Sequence, residues 1–572
     1  MSQETCEAKT LSGAQILIES LKNEGVDTVF GYPGGAILDI YEALYHEKDI
    51  KHYLVRHEQA AVHAAEGYAR VSGKCGVAIV TSGPGATNTV TGIANAYLDG
   101  YPIVVFTGQV SANLIGNDAF QEADIVGITR ACCKHNYLVK DVKELPKVIK
   151  EAFHIATTGK QGPVLIDLAK NVMTANSEFE YPKTVNLQGY KPNYQGNAKQ
   201  ISTAIKLLCR AKRPVIIAGG GVLAADACDE LRELARKLEI PVANTLMGVG
   251  TYPTNDYLSL GMLGMHGNYW ANFAVNDCDV LLAIGTRFND RITGSLKKFA
   301  QDAKIIHIDI DPCSISKNVQ VDVPIVGDAK LTLQTMLKEL DNLEYEGNET
   351  FKKMWFQVIN EWKTKRAIPE IRSDKLHAHT VLDAVYEYTK DMEPVVATEV
   401  GQHQMWTVQA FNFDKPRKLV TSGGLGTMGF GFPASMGACL GQDKPVLCIA
   451  GDGSLQMNIQ ELMTCVDYKL PVKVVIMNNG YLGMVRQWQE KLYDGHYSQT
   501  KISSPDYVKL AEAYGAKGIR IQKEEEIVPA LKEAFEYDGP VFMDFIIEPF
   551  EMVYPWVLSG KGLNNVLLSD KG

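Results

Sequence analysis

Two polar motifs, each directly behind a short apolar run, constrain the fold of this chain more than any other feature. Gly451-Asp452-Gly453-Ser454 follows the run 445–450, and about two dozen residues later Asn478-Asn479 follows the run 472–477. Both runs read as buried strands and the segment 459–468 between them reads as a helix, so the unit is predicted to be βαβ. Because the carboxyl ends of parallel strands meet at one sheet edge, the two motifs are expected to converge there.

A carboxylate and an amide at one sheet edge suit a magnesium ion. Mg²⁺ prefers octahedral oxygen coordination, takes one or two protein carboxylates, and fills its other positions with water and phosphate oxygens. The spacing therefore predicts that Asp452 and Asn479 hold Mg²⁺ against a diphosphate. The alternative is a βα turn followed by an unrelated Asn pair.

Composition narrows the class of protein. A chain of 572 residues is long enough for three or four domains of about 150 residues, and three are expected. The net charge of -10 and the lack of any Lys/Arg-rich run argue against a nucleic-acid partner. No apolar run reaches the roughly 18 residues that a membrane span needs. Eleven scattered cysteines without a C-x-x-C pair, and a polar start unlike a signal peptide, lead us to expect a cytoplasmic protein.

Strand-like and helix-like segments alternate in three blocks, so the fold class is predicted to be α/β with three doubly wound parallel-sheet domains. The expected domains are 8–176, 197–340 and 373–550, followed by a tail or lid at 551–572. The segment 176–197 is read as a linker. The charged connection 341–372 is expected to carry a surface helix near Phe351 to Trp362.

Glu58 is the candidate acid of the first block. It lies between a strand-like run, 52–57, and a helix-like run, 59–71, in an apolar, Ala-rich setting. A carboxyl at such a corner can share a proton with a bound ring. The plainer alternative is that Glu58 only complements the helix dipole, and Glu66 on the same helix is a weaker rival.

Glycine-rich turns follow three predicted strands: Gly31 to Gly35, Thr81 to Asn88, and Ala218 to Gly221. Such turns let the backbone approach a ligand closely. Read alone, each is equally an ordinary βα connection.

With further motifs, these residues strongly resemble the acetohydroxyacid synthase (acetolactate synthase) catalytic subunits, a family of thiamine diphosphate enzymes, over nearly the whole chain. The further motifs are Arg56-His57-Glu58-Gln59-Ala60, Ala119-Phe120-Gln121-Glu122, Met262-Leu263-Gly264-Met265-His266-Gly267, Arg287-Phe288-Asn289-Asp290-Arg291, Val400-Gly401-Gln402-His403, Ser422-Gly423-Gly424-Leu425-Gly426-Thr427-Met428-Gly429 and Gly483-Met484-Val485-Arg486-Gln487-Trp488.

The resemblance implies a pyrimidine-binding first domain, a central FAD-binding domain of Rossmann-like fold and a third domain that binds the diphosphate. Thiamine diphosphate, Mg²⁺ and FAD are the implied cofactors. The implied reaction decarboxylates pyruvate and joins the remaining two-carbon unit to a second pyruvate or to 2-ketobutyrate. Its products are 2-acetolactate or 2-aceto-2-hydroxybutyrate, in the first common step of valine, leucine and isoleucine biosynthesis. The implied assembly is a homodimer or homotetramer with a small regulatory subunit.

The resemblance also implies roles for single residues. Glu58 would activate the aminopyrimidine, and Asp452, Asn479 and the backbone carbonyl of Tyr481 would hold Mg²⁺. The residues expected near the reacting keto acids are Gly35, Phe120, Gln121, Lys170 and Trp488, with Trp488 favouring 2-ketobutyrate. The residues expected to line thiamine diphosphate are Pro33, Gly85, Asn88, Val400, Gly401, Gln402, His403, Gly426, Met428, Gly453, Ser454, Gly483 and Met484.

For FAD, the matching positions are Gly219, Gly220, Gly221, Thr245, Leu246, Leu263, Gly264, Met265, His266, Gly285, Arg287, Arg291, Asp309, Ile310, Gly327 and Asp328. The chain departs from many relatives at Asn289-Asp290, where they carry Asp-Asp, and from some at Asp309, where they carry Glu. Both changes keep the polarity of the site.

Three alternatives stay open at this point. A FAD-linked pyruvate oxidase would share fold and cofactors but pass electrons to the flavin. Another thiamine diphosphate carboligase is possible, although glyoxylate carboligase is disfavoured because Glu58 is present. A catalytically silent nucleotide-binding protein is disfavoured because Glu58, Asp452 and Asn479 occur together.

The tail is expected to close over the site and keep water out.

Overall fold

Three parallel six-stranded sheets, each with helices around it, form the chain in the computed structural model, which describes residues 9–343, 349–365 and 373–569. Residues 1–8, on which the expectation of no signal peptide rests, lie outside the described residues. Residues 570–572, at the end of the expected tail, lie outside them as well. The predicted α/β class is confirmed. No helix in the described part of the chain is long and apolar enough to cross a membrane.

The first domain contains a six-stranded sheet and one short two-stranded pair. Its strands are β1 (Thr10–Ser12), β2 (Thr28–Tyr32), β3 (Lys51–Leu54), β4 (Gly76–Val80), β5 (Ile103–Gln109), β6 (His135–Val139), β7 (Val164–Ala169) and β8 (Asn176–Glu178). Its helices are α1 (Gly13–Asn23), α2 (Leu38–His46), α3 (Glu58–Ser72), α4 (Pro84–Thr87), α5 (Val90–Asp99), α6 (Ile125–Thr129), α7 (Leu145–Thr157) and α8 (Lys170–Thr174).

The middle domain contains one sheet. Its strands are β9 (Pro214–Ala218), β10 (Val242–Asn244), β11 (Ser259–Met262), β12 (Val280–Ile284), β13 (Lys304–Asp309) and β14 (Val323–Val326). Its helices are α9 (Ala198–Arg210), α10 (Gly220–Ala224), α11 (Cys228–Leu238), α12 (Tyr269–Asp277), α13 (Asp290–Thr293), α14 (Ala329–Asp341) and α15 (Glu349–Lys363).

The third domain contains the last large sheet and a short hairpin in the tail. Its strands are β15 (Val395–Thr398), β16 (Leu419–Thr421), β17 (Val446–Gly451), β18 (Lys473–Asn478), β19 (Lys517–Ile521), β20 (Val541–Ile546), β21 (Trp556–Val557) and β22 (Val566–Leu567). Its helices are α16 (Ala378–Thr389), α17 (Gln402–Ala410), α18 (Gly431–Gly441), α19 (Asp452–Leu455), α20 (Leu462–Asp467), α21 (Gly483–Leu492), α22 (Tyr507–Tyr514) and α23 (Ile527–Glu536).

Sheet order divides the three domains into two types. The first sheet runs β3-β2-β4-β5-β7-β6 and the third runs β16-β15-β17-β18-β20-β19, which is the same order when strands are counted within each sheet. The middle sheet runs β11-β10-β9-β12-β13-β14, the order typical of dinucleotide-binding sheets. The order reverses between β2 and β4, between β9 and β12, and between β15 and β17. Open α/β sheets bind ligands at such reversal points, beyond the carboxyl ends of the strands.

Strand and helix composition explains these layers. The central strands β4, β9 and β12 are buried at every position, as expected when helices cover both faces of a parallel sheet. Helix α11 is amphipathic: Leu231, Leu234, Ala235 and Leu238 are buried against the sheet, and charged residues occupy the opposite face.

The first and third domains pack through helices α3 and α18, which cross at two glycines. A Cβ atom on Gly67 would lie 2.0 Å from the carbonyl oxygen of Ala434, and one on Gly437 would lie 1.8 Å from that of Ala64. Since neither glycine carries a side chain, the two helix backbones touch directly. This contact fixes helix α3, whose first residue is Glu58, against the third domain.

The local predictions differ from the structure in a few places. The predicted strand 52–57 ends at Leu54, and the strands flanking the metal motif lie one residue further along than expected. The predicted linker begins with β8, which pairs with β1, because its residues complete a two-stranded edge. The helix expected in the charged connection is present as α15, which lies on the surface and packs on the middle domain through Trp355.

Candidate functional site

A cleft of about 430 Å³ lies at the reversal point of the third sheet, beyond the carboxyl ends of β15, β17 and β18. Its lining comes from the segments 400–406, 451–454 and 477–485, with Met428 from the loop before α18. The predicted βαβ unit explains this position, because the turns after neighbouring parallel strands emerge side by side.

Asp452 and Asn479 line this cleft together, as the spacing of the two motifs predicts. Asp452 is the first residue of α19 and is 1% exposed. Its Oδ2 accepts hydrogen bonds from Ser504 Oγ (2.9 Å) and from the Gly480 N–H (3.2 Å). Burial raises the pKa of the Asp452 carboxyl to about 6, because low dielectric disfavours an anion that has no cation beside it. A bound cation would remove that penalty.

Asn479 and Tyr481 line the same cleft. The Tyr481 N–H donates to Asn479 Oδ1 (3.0 Å), and Asn479 Nδ2 donates to Gln402 Oε1 (3.4 Å). The ends of both side chains approach the Gly483 backbone closely, because a Cβ there would lie 2.1 Å from Gln402 Oε1 and 2.9 Å from Asn479 Nδ2. Asp452, Asn479 and Tyr481 line the cleft together, and carboxylate, amide and backbone carbonyl oxygens are the hard ligands that Mg²⁺ prefers.

His403 adds an unpartnered polar atom to the same cleft. Its ring is buried, and Nε2 makes no hydrogen bond among the residues described. Burial lowers the pKa of His403 to about 3, so the ring is neutral at physiological pH. A buried polar atom without a partner is costly, and a ligand oxygen or hydroxyl in the cleft would satisfy it.

Most residues predicted to line thiamine diphosphate or Mg²⁺ in the third domain meet in this cleft. Those that line it are Val400, Gly401, Gln402, His403, Met428, Asp452, Gly453, Ser454, Asn479, Tyr481, Gly483 and Met484. Gly426 does not line it, although its loop does. The lining residues that sequence reasoning did not single out are Trp406, Gly451, Met477, Leu482 and Val485. Gly451 and Val485 lie within quoted motifs but had no role assigned, and Trp406 lies shortly after one, whereas Met477 and Leu482 carry no signal that separates them from core positions.

Glu58 lies at the carboxyl edge of the first sheet, as predicted, and begins helix α3. It is half-buried, and its Oε2 accepts a hydrogen bond from Asn88 Nδ2 (2.9 Å). A Cβ on Gly85 would lie 3.2 Å from Glu58 Oε1, so the turn after β4 approaches the carboxylate closely. Glu58, Gly85 and Asn88 therefore form one cluster.

The rival carboxylate, Glu66, has a different role. It is fully buried and accepts hydrogen bonds from Arg70 Nη2 (2.6 Å) and Asn95 Nδ2 (2.9 Å). Arg70 also pairs with Asp99. These contacts hold helices α3 and α5 together and leave no free oxygen for a ligand.

The remaining first-domain candidates surround the same sheet edge. Lys170, directly after β7, donates to the Gly35 carbonyl (3.4 Å) and pairs with Asp39. The Gln121 backbone lies so close to Gly83 that a Cβ there would be 2.8 Å from the Gln121 carbonyl oxygen. Phe120 is 88% exposed.

Pro33, from the turn after β2, completes this group at the reversal point of the first sheet. Within the described part of the chain, no residue of the first domain lines the third-domain cleft. Trp488 on α21 does not line it either. Its ring lies 5.9 Å from that of Trp556 in the tail, and the Arg291 guanidinium lies 5.9 Å from its centre.

The predicted flavin residues lie at or just beyond the carboxyl ends of all six middle-domain strands, from β9 to β14. At the reversal point, Gly219 and Gly221 pack against Gly285, where a Cβ on Gly221 would lie 2.6 Å from the Gly285 Cα. The glycine run therefore brings two turns into contact. This packing explains why glycines occupy positions 219–221, whether or not a ligand binds above them.

Several of the predicted flavin residues also have structural contacts. Asp328 caps α14 by accepting from the Leu331 N–H (3.0 Å), and Thr245 accepts from the Gly248 N–H (3.1 Å). His266 Nδ1 lies 3.2 Å from the Pro555 carbonyl oxygen, and its ring stacks on Trp556. Leu263 is buried in the core below the edge.

A second cavity, of about 320 Å³, lies where the tail docks on the middle domain. Met265 and Arg291 line it together with the tail segment 557–560. The Val557 N–H donates to the Met265 carbonyl (2.8 Å), and Trp556 is completely buried. The tail is thus packed on the middle domain, next to Trp488.

Sequence profiles of known families match all three domains. Residues 11–128 match the thiamine pyrophosphate enzyme N-terminal TPP binding domain, residues 201–336 match the central domain, and residues 399–545 match the C-terminal TPP binding domain.

Curated relatives match nearly the full length. The acetolactate synthase large subunit of Haemophilus influenzae is 49% identical over 98% of this chain and 99% of its own. The isozyme 3 large subunit of Escherichia coli is 47% identical over 98% of this chain and 99% of its own. A probable acetolactate synthase large subunit of Methanocaldococcus jannaschii is 48% identical over 97% of this chain and 95% of its own.

Proposed function

Because the chain belongs to the acetolactate synthase large-subunit family of thiamine pyrophosphate enzymes, we propose that the cleft and the Glu58 cluster together form its active site. The activity is that of acetolactate synthase: two pyruvate molecules give 2-acetolactate and CO₂. With 2-ketobutyrate as the second substrate, the product is 2-aceto-2-hydroxybutyrate. The observation that carries the site assignment is the convergence of Asp452, Asn479 and His403 at the reversal point of the third sheet.

Thiamine diphosphate, when bound, supplies a carbon nucleophile and a cationic ring that accepts the electron pair released with CO₂. Asp452, Asn479 and the Tyr481 carbonyl would hold Mg²⁺, which would neutralise charge on its diphosphate. His403 Nε2 is the unpartnered atom available to the same group. Met428, on the cleft wall, would give the bound cofactor an apolar contact.

Glu58 would hold and return one proton at the aminopyrimidine. Asn88 fixes one carboxylate oxygen, which leaves Oε1 facing the Gly85 turn. Because Gly85 carries no side chain, a flat ring can approach that oxygen. We assign to Pro33, Gly85 and Asn88 the shaping of this approach, and to Gly35, Phe120, Gln121 and Lys170 the binding of the keto acids.

A second copy of the chain would complete the site. The cleft takes none of its described lining from the first domain, and Glu58 is half-exposed, so we propose that Glu58 of one protomer serves the cleft of its partner in a homodimer. Relatives are named large subunits, and a small regulatory subunit is the partner that this naming suggests.

FAD binding is proposed for the middle domain. The support is the dinucleotide-type strand order, the cluster of predicted contacts at one sheet edge, and two arginines, Arg287 and Arg291, available to a diphosphate. In this reaction the electrons stay with the substrates, so the flavin would be structural. Trp488, beside the tail, is proposed to contact the second keto acid.

The experiment is a comparison of the purified wild-type chain with Glu58→Gln, supplied with pyruvate, thiamine diphosphate and Mg²⁺, with and without FAD. We expect acetolactate from the wild type and loss of nearly all turnover in Glu58→Gln, with diphosphate binding retained. Full activity of Glu58→Gln would remove Glu58 from the site. Bleaching of flavin absorbance by pyruvate, without acetolactate, would instead identify an oxidase.

A further inference from the structure

The end of strand β3, which leads into Glu58, is held by the third domain of the same chain. The Leu54 N–H donates to the Tyr468 hydroxyl (2.9 Å), and Thr464 Oγ1 lies 3.2 Å from the Leu54 carbonyl oxygen. The Arg56 N–H donates to both oxygens of Glu461, at 2.9 and 3.1 Å. We refer to residues 54–58 as the β3 corner. Three of its polar backbone groups, on Leu54 and Arg56, therefore have partners across the domain interface.

Glu461 is the central group of this contact. It ends a 3₁₀ turn, Gln456–Glu461, and is 0% exposed. Thr464 Oγ1 donates to its Oε2 (2.8 Å), and burial raises the pKa of the Glu461 carboxyl to about 7. Burying a carboxylate is costly unless it is hydrogen-bonded, and both oxygens of Glu461 accept from the Arg56 N–H. The contact therefore holds the Arg56 backbone in a defined position.

We propose that Glu461 is a positioning residue for Glu58. Because Glu461 accepts the hydrogen bond from the Arg56 N–H, it sets the direction in which the Glu58 carboxylate points from the start of helix α3. The inference rests on the proposed role of Glu58. Only His57 separates Arg56 from Glu58, and α3 starts at Glu58 itself, so a shift at Arg56 moves the carboxylate directly. Catalytic groups must be held within about 0.5 Å of the productive geometry, which makes such an anchor necessary.

The placement of Glu461 has a further consequence. Asp452 and Glu461 lie on the same crossover between β17 and β18. Asp452 faces the cleft of its own chain, whereas Glu461 holds the corner whose Glu58 is proposed to serve the partner. One crossover would therefore support two active sites of the dimer.

The first test is backbone hydrogen exchange in the full-length protein, followed by mass spectrometry of peptides covering residues 51–60. Glu461→Gln replaces one of the two acceptor oxygens with an amide NH₂ group, which cannot accept from the Arg56 N–H. We expect exchange at the β3 corner to become about 10-fold faster or more. The matched control is Glu151→Gln on α7, a buried carboxylate that accepts from Tyr137 and lies outside both sites. It should leave the corner unchanged.

The second test follows the proton at C2 of thiamine diphosphate in the holoenzyme, by exchange into D₂O and NMR after an acid quench. Glu461→Gln should slow this exchange about 10-fold or more, while the dissociation constant of thiamine diphosphate stays within about twofold. The double variant Glu58→Gln/Glu461→Gln should be no slower than Glu58→Gln alone, because an anchor has no further effect once its target is lost.

The outcomes distinguish a failure of the positioning role of Glu461 from a failure of the proposed function. Unchanged exchange at the β3 corner, or additive losses in the double variant, would overturn the positioning role whatever the activity of the wild type. A wild-type chain that makes no acetolactate would refute the proposed function and leave the corner measurement interpretable. If Glu461→Gln does not fold, Glu461→Asp keeps the carboxylate but shortens its reach to the Arg56 N–H and should give the same changes; no change would again overturn the proposal.

Discussion

The crossing of helices α3 and α18 yields a quantitative prediction for Gly437→Ala. The new Cβ would lie 1.8 Å from the Ala64 carbonyl oxygen, where real Cβ contacts are not shorter than 3.0 Å. The obstacle is helix backbone, which cannot rotate away, so the helices must separate. Overpacking of this kind costs up to about 3 kcal/mol. Alanine's better helix propensity returns up to about 1 kcal/mol, so we expect a net loss of about 2 kcal/mol.

Thermal unfolding of the purified chain measures this loss. A destabilisation of about 2 kcal/mol corresponds to a midpoint lower by roughly 4–8 °C for a domain of this size. Gly35→Ala is the matched control, because a Cβ there meets nothing within 4 Å, and its midpoint should not fall. If Gly437→Ala melts at the wild-type temperature, the two helices do not touch through their backbones and the packing argument is wrong.

Two further predictions concern pH and selectivity. Glu399 is fully buried beneath α18, where it accepts from the Gly429 and Phe432 N–H groups, and burial raises its pKa to about 7. The folded chain therefore keeps a proton between about pH 4.5 and 7 that the unfolded chain releases, so this contribution to the free energy of unfolding falls as pH rises through that window. Urea unfolding of Glu399→Gln should show a flatter dependence between pH 5 and 7 than the wild type, and identical slopes would contradict the assignment. Trp488→Leu should reduce the preference for 2-ketobutyrate over pyruvate by roughly 10- to 100-fold in a product-ratio assay with both substrates, and an unchanged ratio would assign selectivity to another side chain.

Much of the site was predictable because it depends on short-range patterns. Apolar runs followed by Gly-Asp-Gly-Ser and by Asn-Asn require neighbouring parallel strands, and parallel strands place both motifs at one edge. The corner at Glu58 follows equally from a strand-like run that changes to helical spacing. These features are set by residues close together along the chain, so a single sequence carries them.

Other features depend on partners far apart along the chain. Glu461 looked like an ordinary residue of a crossover, and its contact with Arg56 arises only when the third domain packs on the first. Gly67 and Gly437 lie inside helices, so neither is marked by a turn in the sequence. Their missing side chains allow α3 and α18 to cross in direct contact. Nothing in the residues alone predicts such encounters, because they depend on how finished elements dock.

The amino-acid sequence by itself determined the three α/β blocks and the motifs at their strand ends, through periodicity and spacing, which act locally. The tertiary structure alone decided the strand orders, the reversal points at which those motifs meet, and the separation of Glu58 from the cleft of its own chain. The physical reason is that domain packing buries surfaces contributed by distant segments, and the fit of those surfaces is a property of shape rather than of pattern.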